Sequence, residues 1–181
     1  MLSILLDTQE NMITGDIADT GQKVGPMLKI IVGVVVVAVV ALLAYIRLAP
    51  SDPALWHIDI SAADFAPPAT WAAYCPGPAT VPQPGLTLAK LAEVAEAAPR
   101  TIRLAGSVDD GRITWITRSR LFGFPDYATA AMVDSATGPQ VCMVSRQRFG
   151  AADGGVNAAK LQGWLMAATG SSTPLVLGWK P

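Results

Sequence analysis

Residues 112–149 read RITWITRSRLFGFPDYATAAMVDSATGPQVCMVSRQRF, and this stretch decides the fold. Arg112–Phe122, Tyr127–Val133 and Gln140–Phe149 are short runs with many apolar, β-branched and aromatic residues, which is typical of β-strands. Clusters of Gly, Pro, Asp and Ser separate the three runs, as expected of turns. Because short turns join neighbouring antiparallel strands, we expect a meander.

A fourth strand and two helices flank this stretch. Thr101–Ser107 is a similar strand-like run and precedes the meander. Thr87 is placed to cap a helix with one apolar face, and Pro99 ends that helix. A second helix opens near Asp153. The order predicts an α+β domain over residues 86–168, in which two helices cover one face of an antiparallel sheet of about four strands. Residues 169–181 are expected to form a C-terminal tail.

The run IIVGVVVVAVVALLAYI at Ile30–Ile46 contains 17 residues with no charge. As a helix it would be about 26 Å long, close to the thickness of the hydrocarbon core of a bilayer. Because every backbone polar group in lipid must be satisfied within the segment, we predict one N-terminal transmembrane helix that acts as a single-pass signal anchor. A cleaved signal peptide is the alternative.

The flanks of this run indicate its orientation. Lys23 and Lys29 precede it and Arg47 follows it, which favours an amino end in the cytoplasm and a domain in the periplasm or otherwise outside, at the inner (plasma) membrane. Residues 1–29 are a polar segment, and Met27 is an alternative start that would remove most of it. We therefore expect a cell-envelope protein.

Residues 47–85 are rich in proline and in large apolar side chains. Proline excludes long regular elements, whereas the aromatic residues are too many for a free linker. We expect this lead-in to be extended and to wrap over the core of the domain.

Few residues are suited to catalysis or to metal binding. The only histidine is His57, and the two cysteines, Cys75 and Cys142, have no partners at metal-ligand spacing. The cysteines could pair in an oxidising compartment or remain thiols in the cytosol. Cys75 with His57 is the one grouping that could form a small thiol or hydrolytic enzyme, and no signature residues surround it. Nothing indicates a metal or a cofactor.

Charge is more informative locally than globally. The chain has 13 basic and 14 acidic residues, which argues against nucleic-acid binding by a basic surface. Arg118 with Arg120, and Arg146 with Arg148, are spaced two apart in strand-like runs and would share a face. Such pairs suit phosphate or carboxylate groups, including lipid headgroups. The alternative is a solvated face with ordinary salt bridges.

The motif Asp-Gly-Gly-Val-Asn at 153–157 is expected to be a structural turn. Asp153 would cap free amides at the start of a helix, Gly155 would supply the turn and Asn157 would brace the first helical turn. A ligand-binding turn is the alternative.

Four motifs lie between residues 85 and 168: Pro99–Ser107, Thr117–Asp126, Arg148–Gly150 and, most distinctively, Asp153–Asn157. Through these motifs the sequence resembles a largely bacterial family of uncharacterised proteins, domain of unknown function 1499. The lead-in Arg47–Pro53, with Trp56 and His57, is similar to that of its membrane-anchored members. Many members continue a Cys-Pro motif into a Pro-Asn-Cys-Val-Ser-Ser-like turn, which does not follow Cys75 here. The resemblance implies a fold and an anchor, and no established activity.

Three functions remain open. The first is a non-enzymatic, membrane-anchored module whose arginines bind an anionic ligand or a protein partner in the membrane. The second is the thiol or hydrolytic enzyme that would use Cys75 and His57. The third is an accessory subunit that contacts a membrane complex through Ile30–Ile46, where Gly33 and small alanines favour helix contacts.

Overall fold

The computed structural model describes residues 24–77, 83–136 and 138–179. The chain divides into two compact units, residues 1–44 and residues 45–181. The expectations for residues 1–23, including the polar segment that a start at Met27 would remove, lie outside the described residues.

Helix α1 spans Val24–Leu48 and is longer than the apolar run that predicted it. Within Gly25–Leu48, the most apolar stretch of 18 residues has a mean hydropathy of 2.9, and none of that stretch is buried. By length and composition this helix is able to cross a membrane, and a signal sequence has the same properties.

The second unit contains the folded domain. Its helices are α2 (Pro53–Trp56), α3 (Leu88–Ala97) and α4 (Val156–Thr169). Its strands are β1 (Ala72–Cys75), β2 (Thr101–Ser107), β3 (Arg112–Arg118), β4 (Pro125–Val133), β5 (Gln140–Gln147) and β6 (Gly178–Trp179). Thr87 caps α3, since its Oγ1 accepts a hydrogen bond from the Lys90 amide at 3.1 Å. The α+β class predicted from the sequence is confirmed.

The sheet has six strands in the order β2-β3-β4-β5-β1-β6, not four as expected. Strands β2 to β5 form the predicted antiparallel meander. The added strands come from segments interpreted as irregular: β1 from the proline-rich lead-in, antiparallel to β5, and β6 from the C-terminal tail, parallel to β1. Both strands are short and pair with residues distant in sequence, so the local sequence pattern does not predict them.

Two helices cover one face of the sheet, as predicted. Leu88 and Leu91 of α3 and Leu161 and Leu165 of α4 pack with Trp115 of β3 in one buried cluster. Trp115 is completely buried, and its ring meets that of Trp164 edge to face at 5.9 Å.

The lead-in covers the opposite face. Trp56 of α2 stacks on Tyr127 of β4 with ring centroids 3.9 Å apart. Ile60 is buried in a second apolar cluster with Val144. Cys75 and Cys142 also lie there and form a disulfide with their Cα atoms 4.4 Å apart. The domain therefore has three layers: helices, sheet and lead-in.

Two strands end earlier in the structure than the sequence predicted. We expected a strand to Phe122, but β3 ends at Arg118 because residues 119–124 close a turn, in which the Ser119 amide donates to the Phe124 carbonyl at 2.9 Å. Likewise β5 ends at Gln147 and not at Phe149. Consequently Arg120 and Arg148 lie beyond their strands, and the two-residue spacing does not place either on a strand face.

Candidate functional site: an arginine-lined cleft

A cleft of about 490 Å³ lies where β2 begins and β3 ends. Four arginines line it, together with two isoleucines of neighbouring strands and part of the turn after β3: Arg47, Arg100, Arg118, Arg120, Ile102, Ile116, Ser119 and Gly123. Ile102 and Ile116 are directly paired across β2 and β3, so they share a face and form an apolar floor. The cleft combines fixed cationic groups with an apolar surface.

The turn after β3 is held by two of these arginines. Arg118 donates from Nη1 to the Gly123 carbonyl at 3.0 Å. Arg47 donates from Nη2 to the Leu121 carbonyl at 3.1 Å and from Nε to the Phe122 carbonyl at 3.3 Å. Each bond fixes a guanidinium and leaves other N–H groups of the same side chain free to bind a ligand.

Arg100 reaches the cleft from the connection between α3 and β2. Its φ angle is +60°, in the left-handed region that non-glycine residues rarely occupy. Its Nε donates to the Arg118 carbonyl at 3.0 Å, and its own carbonyl accepts from the Arg118 amide at 3.0 Å. This reciprocal pairing explains how the unusual backbone is held. Backbone strain of this kind is frequent at functional sites.

Arg120 is the least constrained of the four. It lies at the exposed turn that follows β3 and hydrogen-bonds to no other residue that the structure describes. Its removal should therefore leave the fold intact.

Among the described residues, no acidic side chain forms an ion pair with a cleft arginine. The ion pairs among the described residues join Lys90 to Glu93, Arg103 to Glu96, and Arg112 to Asp59, and none includes a cleft arginine. Four guanidinium groups therefore line one cleft without a carboxylate within 4.0 Å among residues 24–77, 83–136 and 138–179. The arrangement can bind an anion by charge-assisted hydrogen bonds.

The structure places the other two predicted arginines elsewhere. Arg146 lies between two indole rings, with Cζ 4.8 Å from the centroid of Trp56 and 4.4 Å from that of Trp71. Arg148 donates from Nη1 to the Pro50 carbonyl at 2.8 Å and to the Tyr127 hydroxyl at 3.3 Å. These two side chains join the lead-in to the sheet through cation–π and hydrogen-bond contacts. The four predicted arginines are thus divided between two places.

The structure does not bring Cys75 and His57 together as a nucleophile and its base. Cys75 is bonded to Cys142, and the chain has no free cysteine. His57 Nδ1 lies 2.9 Å from Thr114 Oγ1, and its Nε2 accepts from Arg112 Nε at 3.2 Å. Burial and then the charge of Arg112 lower the pKa of His57, which favours the neutral ring that these bonds require.

A polar cluster lies at the start of α4. Asp153 accepts from the Gly155 amide at 2.9 Å and from the Asn157 amide at 2.8 Å, and Asn157 Oδ1 accepts from the Ser145 hydroxyl. Lys160 Nζ is buried one turn further on, without a hydrogen-bond partner among the described residues. Burial lowers the pKa of Lys160 to about 8, against the attraction of Asp126 and Asp153.

In the described part of the chain, no three His, Cys, Asp or Glu side chains lie close enough together to hold a metal ion.

Of the four cleft arginines, the sequence indicated Arg118 and Arg120 as candidate ligand residues. In the sequence, Arg47 is notable only as the flank of the apolar run and the start of the lead-in, and Arg100 only as part of the motif Pro99–Ser107. Neither belongs to an alternating strand. The positive φ of Arg100 and the contact of Arg47 with a turn more than 70 residues away arise from tertiary structure.

These features define a class: a small α+β domain that follows an apolar helix and carries an arginine-lined cleft. The pattern of the family described as protein of unknown function (DUF1499) matches residues 58–167, which is more than half of the chain. The chain belongs to this family, and the resemblance inferred from its motifs is confirmed. No curated protein and no solved structure matches it.

Proposed function

We propose that this protein is a single-pass membrane protein whose domain lies outside the cytoplasm and binds an anionic group through Arg47, Arg100, Arg118 and Arg120. The observation that carries the proposal is the group of four arginines that share one cleft and have no acidic partner among the described residues. Surfaces that serve only solubility usually mix charges of both signs.

The membrane location rests on α1. The helix is long enough and apolar enough to cross a bilayer, and most of its apolar side chains are exposed. An exposed apolar surface of this length is unfavourable in water and is stabilised in lipid.

The external location is supported by the disulfide between Cys75 and Cys142. Disulfides persist in oxidising compartments and are rare in the cytosol. A fusion of alkaline phosphatase after Pro181 tests this side, because that enzyme is active only outside the cytoplasm. We expect phosphatase activity in intact cells. Fluorescence of a green fluorescent protein fused at the same point, without phosphatase activity in the parallel fusion, would contradict it.

Anion binding is tested with pyrophosphate as the probe and the purified full chain in a neutral detergent. We expect Arg118→Gln/Arg120→Gln to weaken pyrophosphate binding by more than roughly tenfold, since a hydrogen bond to a charged group contributes about that factor. The matched control is Lys90→Gln/Arg103→Gln, which removes two positive charges that already have acidic partners. Equal weakening in both double variants would mean that net charge, and not the cleft, attracts the anion.

A further inference from the structure

The turn that closes the cleft carries exposed apolar side chains. Leu121 is 75% exposed and Phe122 is 49% exposed, and Ile102 at the edge of the cleft is 62% exposed. Apolar side chains beside four arginines do not favour a small, fully hydrated anion. They suit a ligand in which an anionic group is joined to an apolar part.

The backbone of this turn is fixed while its side chains remain exposed. Arg47 donates hydrogen bonds to the backbone carbonyl groups of Leu121 and Phe122. These bonds do not involve the two side chains. The two apolar groups are therefore presented on a turn that is already ordered, which reduces the entropy lost on binding.

Aromatic rings continue from this turn to the end of α1. Phe122 contacts Phe124 at 5.9 Å, Phe124 contacts Phe149 at 6.1 Å, and Phe149 contacts Tyr45 at 6.2 Å, measured between ring centroids. Tyr45 belongs to the apolar run itself, and Arg47 follows the last residue of that run. Aromatic and arginine side chains are both favoured at the boundary between lipid and water.

We infer that the ligand of the cleft is an anionic phospholipid of the membrane that holds α1. The arginines bind the phosphate, and Leu121, Phe122 and Ile102 contact the apolar part of the lipid. This inference rests on the proposed anion site and adds the class of ligand. A soluble phosphate would use the same arginines but would leave the exposed apolar side chains without a role.

The test measures lipid binding to the full chain, purified in a neutral detergent, by native mass spectrometry. The probes are phosphatidylglycerol, phosphatidylcholine with the same acyl chains, and glycerol phosphate as the headgroup alone. We expect phosphatidylglycerol to bind at least about tenfold more tightly than phosphatidylcholine or glycerol phosphate.

Variants distinguish the two parts of the site. Leu121→Ser/Phe122→Ser should weaken phosphatidylglycerol binding roughly tenfold and leave pyrophosphate binding unchanged, because burial of a large apolar side chain contributes at least that factor. Its control is Leu55→Ser/Val176→Ser, which alters exposed apolar residues outside the cleft and should change neither. Arg120→Gln should weaken the binding of both pyrophosphate and phosphatidylglycerol. The fold should be unaffected, because the Arg120 side chain forms no hydrogen bond with another described residue.

The outcomes separate this inference from the proposed function. If glycerol phosphate binds as tightly as phosphatidylglycerol, or if Leu121→Ser/Phe122→Ser leaves lipid binding unchanged, the lipid assignment is wrong and the anion site stands. If the arginine variants change the binding of neither pyrophosphate nor lipid, both are wrong.

Discussion

Trp56 stacks on Tyr127 with ring centroids 3.9 Å apart and planes inclined by 11°. Trp56 belongs to the lead-in and Tyr127 to the central strand β4, so this contact attaches the lead-in to the sheet. Arg146 and Arg148 extend the contact, with their Cζ atoms 4.8 Å and 5.5 Å from the Trp56 ring. The lead-in is thus part of the folded domain.

Trp56→Ala should destabilise the domain by about 2 kcal/mol, since it removes a half-buried aromatic ring and its cation–π contacts. The measurement is urea unfolding of the full chain in detergent, followed by near-UV circular dichroism. Leu55→Ala, at an exposed neighbouring position, should change stability by less than about 0.5 kcal/mol. Equal stability of the two variants would mean that the stacked pair contributes nothing.

Loss of the disulfide should also destabilise the domain. Cys75→Ala/Cys142→Ala is expected to lower the free energy of unfolding by roughly 2–4 kcal/mol, because the bond closes a long loop of the unfolded chain. The bond joins residues separated by 67 positions. Thiol alkylation of the unfolded wild type, purified without reductant, checks its presence. Modification of both cysteines before reduction would contradict the bond.

The consecutive strands of the meander were predictable from the sequence, and the strands that pair with residues distant in sequence were not. Trp115 and Ile116 in β3 alternate between two layers, and the turns around β4 are rich in Gly, Pro and Asp, so local sequence is sufficient for the meander. By contrast, β1 follows a run of prolines, and β6 has two residues. Their pairing depends on the disulfide and on apolar contacts such as that of Phe65 with Trp179 at 5.1 Å.

For a similar reason, the sequence alone indicates only two of the four cleft arginines. Arg118 and Arg120 attract notice because they are close in sequence. Arg146 and Arg148 show the same spacing, yet the structure places them against Trp56, an environment that depends on the path of the lead-in. The spacing of arginines in the sequence identifies candidates, whereas the contacts that each arginine makes depend on how the lead-in packs on the sheet.

Glycine at position 106 is required by its surroundings. Gly106 has a φ of +81°, and a Cβ atom there would collide with the Arg112 carbonyl oxygen and lie 2.8 Å from His57 Cε1. Gly106→Ala should therefore destabilise the domain by more than about 2 kcal/mol. Gly111→Ala is the control, since Gly111 has a φ of +68° but its Cβ would meet no atom within 4 Å. Thermal unfolding of both variants should show the larger loss at position 106; equal losses would exclude the collision.

Because of Lys160, the stability of the domain should depend on pH in the alkaline range. Burial lowers its pKa in the folded protein from 10.5 to about 8, so between these values the unfolded chain binds the proton and the folded chain does not. Stability contributed by this group therefore rises as the pH increases from about 8 to 10.5, and below 8 the full penalty of burying the charge is present.

Lys160→Met removes that penalty. We expect the variant to be more stable than the wild type at pH 7 by roughly 3 kcal/mol at most, a difference that shrinks towards pH 10. Urea unfolding of both proteins at pH 7 and pH 9.5 measures it. Lys90→Met, at an exposed lysine, is the control and should give no such trend. A difference between Lys160→Met and wild type that is constant with pH would exclude the assignment to Lys160.

The most direct test of the arginine cleft is residue-specific protection by a bound anion. Phenylglyoxal modifies accessible arginines, and peptide mass spectrometry gives the rate at each position in the full chain. We predict that saturating pyrophosphate slows modification of Arg118 and Arg120 and leaves Arg103, which is paired with Glu96, unchanged. Rates at Arg118 and Arg120 that are the same with and without pyrophosphate, or protection that is equal at Arg103, would contradict an anion site in this cleft.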